Sequence, residues 1–368
     1  MTCVSFFHIP EKCCIFCRET RPPTVEPMTS HDANPRRAPS KGSWLVLAPI
    51  LGLAINLRPV AVSIGPVLTD ISNDLGMSAA AAGLLTSLPT LAFSIFGAAT
   101  PAISRRFGMH VTVGMAVVAL VAGQVGRALS YTSPGFLAWS LVALAGMATC
   151  NILVPGLVRL HFPNRVGLAT AFYSLTMTLG ITAASIGTVP LANALGGWRA
   201  AYLAAAVLAV AALICWVPML PRNSGRHARG APRGFKISQV ARTKMGWVLA
   251  TLFGLQSAQS YSIFGWLPTI YMDAGMTQVH AGIMLGVATG FGVVPSFVVP
   301  RYAAQVREPM GMFLVIMAFL IAGFTGLLVA PMTLPWLWAM CLAFGTASFP
   351  ALHKSGWVAA LDDGWGCL

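Results

Sequence analysis

Apolar residues in this chain come in long, nearly unbroken runs, separated by short polar connections. Neither the alternation of a half-buried strand nor the stripe of an amphipathic helix is present. Crossing the hydrocarbon core of a bilayer takes about 20 apolar residues. Ten stretches meet that requirement: residues 44–68, 79–103, 111–129, 136–158, 166–191, 198–219, 247–271, 281–299, 310–330 and 335–352. Buried helices of a large soluble protein would show charged outer faces at helical spacing, and nearly every run lacks them. The pattern predicts an all-α, multi-pass membrane protein. Composition agrees, since only 9% of residues are charged against about 25% in a soluble domain.

Charge enters next, because its placement orients the spans. Lys12, Arg18, Arg21, Arg36, Arg37 and Lys41 precede the first run, and Arg105 with Arg106 fill the second connection. Arg159 and Arg165 flank the fourth, seven Lys or Arg occupy the sixth, and Arg301 and Arg307 mark the eighth. Connections one, three, seven and nine hold no Lys or Arg, and the fifth holds Arg199 alone. This alternation predicts a plasma (inner) membrane protein with both termini in the cytoplasm. The net charge of +13 lies in connections and tails without a basic–aromatic surface, which argues against a nucleic-acid partner. The eight cysteines form no disulfide framework, since Cys150, Cys215 and Cys341 lie in apolar runs and the others near the termini.

The expected organisation follows. Residues 1–43 form a disordered tail, 44–219 a six-helix bundle, 220–246 a basic linker, 247–352 an incomplete four-helix bundle and 353–368 a short polar tail. The tail is too short and polar to cross again, so about ten spans are expected. A shift of 199 residues lays 74-DLGMSAAAAG-83 on 273-DAGMTQVHAG-282 without a gap, and Pro101 on Pro300. An even number of spans separates the copies, so the halves share one orientation. Parallel repeats about an axis along the membrane normal are an architecture of secondary transporters, with the solute held near mid-membrane between halves.

Several short motifs occur in a fixed order: 56-NLRP-59, 74-DLGMSAAAAGLLTSLP-89, 105-RRFG-108, 151-NILVP-155 with 162-FPNR-165, 197-GWR-199, and 253-FGLQS-257 leading to 266-WLP-268. Together they resemble the cyanate and 2-nitroimidazole transporter family of the major facilitator superfamily, over roughly residues 44–352. The resemblance implies a twelve-span, two-bundle carrier working by alternating access, with spans one, four, seven and ten lining a central cavity; about ten of those twelve spans are expected here, with a frameshifted or truncated reading frame as the simple account. It also implies a gating loop at Arg105, Arg106 and Gly108, in which Arg105 stands where the superfamily places an acid. Residues 1–27, including 13-CCIFC-17, match nothing in the family, and Met28 is an alternative start.

Candidate chemistry centres on Arg58. It lies roughly 21 Å from one end of its span and 15 Å from the other, at about 1.5 Å per residue. A charge at that depth costs about 2.5–3.5 kcal/mol on insertion scales. None of the ten acids falls inside a predicted span. Arg58 is therefore expected to anchor an anionic or strongly dipolar small solute. Binding to backbone carbonyls exposed by Pro59 is the structural alternative. Asn56, Asn151, Gln256 and Gln259 are the neutral solute-binding candidates, each also suited to joining helices. Tyr173 and Trp266 read as core residues, Arg127 as a residue that snorkels from the end of span three, and Pro155, Pro190 and Pro268 as bends.

All seven histidines lie in tails, connections or span ends, so the residues of a proton relay are not supplied inside the spans. No nucleotide loop of the G-x-x-x-x-G-K-[ST] type occurs. No cofactor, metal site or catalytic residue is expected, and the partners are a small solute and the lipid bilayer, with the chain acting as a monomer. A membrane-embedded enzyme would need paired acids or histidines within hydrogen-bond reach near a membrane face. A non-transporting remnant or accessory protein stays open as the alternative to a carrier.

Overall fold

The computed structural model describes residues 42–222, 243–303 and 310–354. The N-terminal tail with its cysteine cluster and Met28, most of the basic linker, Arg307, Glu308 and the last residues of the C-terminal tail lie outside the described residues.

Span one is broken into α1 (Gly42–Leu57), α2 (Pro59–Val62), a 3-10 turn (Gly65–Val67) and α3 (Leu68–Asp74). Single helices follow for spans two to seven: α4 (Ala79–Phe107), α5 (Met109–Ala128), α6 (Ser133–His161), α7 (Val166–Leu195), α8 (Trp198–Trp216) and α9 (Lys244–Asp273). Span eight is split into α10 (Gln278–Gly290) and α11 (Val293–Ala303), and α12 (Met310–Val329) and α13 (Pro335–Lys354) complete the described chain. No strand occurs among the described residues. Each of the ten apolar runs thus coincides with a helical rod. Among the described residues, eight rods are apolar enough to cross a membrane on length and composition alone, and α9 falls outside that set. For α9 the reason is visible in mid-helix, where Gln256, Ser257, Gln259, Ser260, Tyr261 and Ser262 crowd together.

The repeated D-x-G-M-[ST] motif builds the same turn twice. Gly76 and Gly275 take positive φ values of 58° and 100°, the left-handed closure that favours glycine after a helix. The following amides, of Met77 and Met276, donate to the carbonyls of Ser72 and Tyr271 at 2.8 and 2.9 Å. Ser78 and Thr277 then open the next helix by accepting from the amides of Ala81 and His280. Between α4 and α5 the chain reverses on Gly108 alone, at φ 84°. The helices α6, α7 and α9 continue through Pro155, Pro190 and Pro268 without interruption. The breaks fall at Arg58–Pro59, at Ser63–Ile64 and at Phe291–Gly292.

Antiparallel rods give the protein two faces. The ends near Arg105, Arg106, Arg159 and Arg165 form a basic face, and the ends near Asp70, Asp74 and Asp273 an acidic one. Small residues let helices approach closely, which substitutes for a hydrophobic drive within lipid. Gly123 of α5 lies on the Ala143 backbone, and Gly146 of α6 on the Ala116 carbonyl. The two halves meet in the same way. A Cβ on Gly65 would stand 2.1 Å from the Phe264 carbonyl oxygen, and one on Gly265 2.6 Å from Thr86 Cγ2. Gly282, Gly286 and Gly290 of α10 face Ser185, Ile186 and Thr182 of α7. These approaches run from the acidic face to about mid-depth. In the basic half, Ala250–Leu255 of α9 are exposed without interruption.

Gly65→Ala should therefore strain the contact between halves, with an overpacking cost of about 1–3 kcal/mol. A lowered thermal midpoint in detergent is expected. Gly52→Ala, where nothing lies within 4 Å of the added methyl, should leave the midpoint unchanged or raised, because alanine favours helix by about 1 kcal/mol.

Candidate functional site

The site grows from the breaks in span one. Pro59 has no N–H to offer the Ile55 carbonyl, so α1 stops at Leu57 and Arg58 becomes the cap of α2, at φ −84° and ψ −30°. The Arg58 carbonyl accepts from the amides of Ala61 and Val62 at 3.0 and 3.2 Å. One turn later the chain leaves the helix again at Ser63 and Ile64. The carbonyls of Ile55 and Val60 are among those left without a standard partner. That of Ile55 is packed on Gly180 of α7, where a Cβ would stand only 2.2 Å away. That of Val60 receives both Nη1 and Nη2 of Arg127, at 3.0 and 3.1 Å.

Arg127 thus departs from its expected role. It is fully buried, and its guanidinium carbon lies 5.4 Å from the centre of the Tyr202 ring. Although α5 ends one residue later, span one and α8 close over this position, so the side chain turns inward and does not snorkel. Carbonyl binding, the structural alternative considered for Arg58, is performed in this fold by a different arginine.

Arg58 itself is half-buried, and its Nε is buried without a hydrogen-bond partner. It lies close enough to Tyr173 of α7 and Tyr261 of α9 to interact electrostatically with both. Phe93 of α4 packs on Tyr261 at a centroid distance of 6.3 Å, and Phe264 meets the same ring edge-on at 5.8 Å. On the acidic side of this group a crevice lined by Ala61, Leu85, Thr86, Pro89 and Tyr261 has room for roughly one water molecule. Among the described residues the ion pair is Arg199–Asp74, at the acidic face. Neither intramembrane arginine is paired with a carboxylate there.

The neutral candidates divide. Gln259, in the repeat partner of span one, has its Nε2 buried and unpartnered. Gln256 is half-buried one turn nearer the basic face, its backbone carbonyl accepting from the Ser260 hydroxyl at 2.9 Å. Asn151 donates to the Met147 carbonyl of its own helix at 2.9 Å. Asn56 is turned elsewhere: its amide donates to the Gly52 carbonyl at 2.9 Å and to that of Leu208 in α8 at 3.4 Å, joining α1 to α8. Tyr173 is buried beside Arg58, while Trp266 is half-buried against the core. At the basic end of α4, Arg105 and Arg106 are exposed, and the Arg106 guanidinium lies 5.5 Å from the Phe107 ring centre.

Three polar clusters escape a linear reading. The Asp74 carboxylate accepts from both Arg199 and the Trp198 indole, and Arg199 also donates to the Ser130 carbonyl at 3.1 Å. The D-x-G-M and GWR motifs therefore belong to one clasp, which their separation in sequence conceals. Gln278 of the second half donates to the Pro66 carbonyl at 3.0 Å and to Asp70 at 2.6 Å. His110 and His161 meet at the basic face with their Nε2 atoms 3.0 Å apart, one necessarily donating to the other.

A family model described as Major Facilitator Superfamily matches residues 50–363. The chain is 30% identical to the 2-nitroimidazole transporter of Escherichia coli (strain K12), covering 84% of this chain and 78% of that protein. It is 24% identical to the cyanate transport protein CynX of the same organism, covering 81% and 77%. Among solved structures, a bacterial homologue of the human lysosomal transporter Spinster, in an inward-facing and occupied conformation, superposes with a TM-score of 0.65. That pair is 18% identical, with 85% of this chain and 74% of the other covered.

The acidic-face clasp yields a measurable coupling. In a double-mutant cycle of Asp74→Asn and Arg199→Gln, followed by thermal unfolding in detergent, an interaction of about 0.2–1 kcal/mol is expected, as for a solvent-exposed pair. Added salt should reduce it.

Proposed function

Because the chain belongs to the major facilitator superfamily and groups within it with the 2-nitroimidazole and cyanate transporters, we propose that it is a secondary transporter of a small, acceptor-rich solute, moved by alternating access. The observation that carries the solute class is Arg58. A permanent positive charge sits at a helix break in mid-membrane, with no carboxylate paired to it among the described residues and with a buried Nε lacking an acceptor. Unpartnered charge at that depth is costly, and a visiting anion or strong dipole supplies the missing partner.

Gln259 adds a second donor, from the opposite half of the repeat. Arginine and an amide NH₂ at this point select for acceptors, and Tyr173 and Tyr261 add phenols that donate or accept. Cyanate is a small anion with an acceptor at either end. A nitroimidazole presents two nitro oxygens and a flat ring. Both suit such a site, and Asn151 and Gln256 extend it toward the basic half. In this reading residues 44–219 and 247–352 are the two moving bundles, and Arg105, Arg106 and Gly108 form a gating loop on the basic side. The basic face is the cytoplasmic one in the inner membrane. The glycine contacts between α10 and α7, and between span one and α9, then close the route to the outside.

Uptake of labelled cyanate and 2-nitroimidazole into proteoliposomes tests this. Arg58→Leu should lower kcat/KM about 10- to 100-fold, the loss of a charged hydrogen bond of about 1.5–3 kcal/mol. Arg58→Lys should raise KM with a smaller loss of rate. Gln259→Leu should raise KM several-fold. Unchanged affinity in Arg58→Leu would end the assignment.

A further inference from the structure

We propose that Arg127 is a positioning residue for the solute site: by clamping the Val60 carbonyl it holds the second break of span one open, and so sets where Arg58 stands. This inference rests on the reading of Arg58 given above.

Four observations converge on it. Val60 and Arg127 are both fully buried, so neither the carbonyl nor the guanidinium has water as an alternative partner. The carbonyl takes two N–H bonds from one planar fork, at 3.0 and 3.1 Å. That fork lies over the Tyr202 ring, which fixes its plane. Finally, Arg58 and Val60 are two residues apart on opposite sides of the single-turn helix α2, so movement at the break is transmitted within one turn.

An unclamped Val60 carbonyl would be a buried acceptor without a partner, a cost relieved only if the turn at Ser63–Ile64 loosens and span one flexes there. The position of every residue between Arg58 and the 3-10 turn would then change relative to Tyr173 and Tyr261. A neutral amide could cap the same oxygen, but only one of its N–H groups could reach it in a fixed plane. The guanidinium makes the break rigid, which is what a solute-binding charge at its edge requires. Arg127 itself does not reach the solute and has no catalytic part in transport.

Two readouts on the purified full-length protein test the inference. The first needs no solute: hydrogen–deuterium exchange of the amides of residues 60–65 and 67 should rise about tenfold in Arg127→Lys and stay near the wild-type rate in Arg58→Lys. The second is equilibrium binding of cyanate, with 2-nitroimidazole in parallel, to the two single variants and the double variant. Arg127→Lys should weaken binding about tenfold, and its effect should be smaller on the Arg58→Lys background, because Arg127 acts through residue 58. Should Arg127→Lys not accumulate, Tyr202→Leu, which removes the ring and keeps the charge, is expected to show the same exchange increase in smaller measure.

Unchanged exchange in Arg127→Lys would overturn the clamp. Faster exchange with strictly additive losses of binding would overturn the positioning role. Failure of the solute reading looks different: Arg58→Lys would leave binding of both probes untouched, and the positioning role would fall with it, even though exchange at those amides still answered to Arg127.

Discussion

Inside a bilayer every backbone N–H and C=O must find its partner within the protein, and span one breaks its helix twice where that rule is strictest. The remainder of the molecule can be understood as the means by which those breaks are tolerated. Pro59 releases the Ile55 carbonyl, and α7 answers with Gly180, whose lack of a side chain lets backbone meet backbone. The turn at Ser63–Ile64 releases the Val60 carbonyl, and α5 answers with Arg127. Discontinuous helices are expensive in lipid and are tolerated where they line a cavity or lie buried in protein. Here the break brings Arg58 to the junction of spans one, five and seven, beside a tyrosine from each of the latter two.

Two arginines in the membrane are thus used in opposite ways. Arg127 is fully buried, forked onto one carbonyl oxygen through both Nη atoms and placed over Tyr202, although its Nε, like that of Arg58, lacks a partner. Arg58 is half-buried, close to two phenols and unpartnered at Nε. The Val60 carbonyl and the Tyr202 ring give Arg127 partners that Arg58 lacks, which is why the proposed solute is assigned to Arg58.

The spans, their order and the internal repeat were legible in the sequence, because apolar run length and glycine punctuation are local properties. The D-x-G-M-[ST] motif could be read as a repeat, and its chemistry explains the match: a left-handed glycine closes one helix and a hydroxyl opens the next. Arg58 was legible as well, since charge in an apolar run stands out. Arg127 stood out by the same signal, but distance to a helix end was a poor guide to burial. Whether an arginine snorkels depends on which neighbours extend past it, and that is a tertiary fact. Asn56 shows the same limit: two residues from Arg58 along the chain, it faces α8 and joins helices. A proline within a span need not interrupt it, as α6, α7 and α9 show, whereas span one stops before Pro59.

The acidic face shows how one span can belong to both halves. Asp74, at the end of α3, is bound within its own half by a charged, many-sided clasp: Arg199, the Trp198 indole and, through Arg199, the Ser130 carbonyl. Four residues earlier, Asp70 and the Pro66 carbonyl are held across the gap by a single side-chain amide, that of Gln278. The unequal strength has a mechanical consequence. In the proposed alternating-access cycle, the bonds from the uncharged Gln278 amide would exchange for water at the surface, whereas the Asp74 clasp would keep span one with spans three and six. Separation would then be directed between span one and α10, and along the Gly65–Phe264 contact, where glycine leaves little side-chain interlock to resist it. Dividing the polar contacts between one ion-pair clasp and one side-chain amide favours those surfaces as the ones that slide in that cycle.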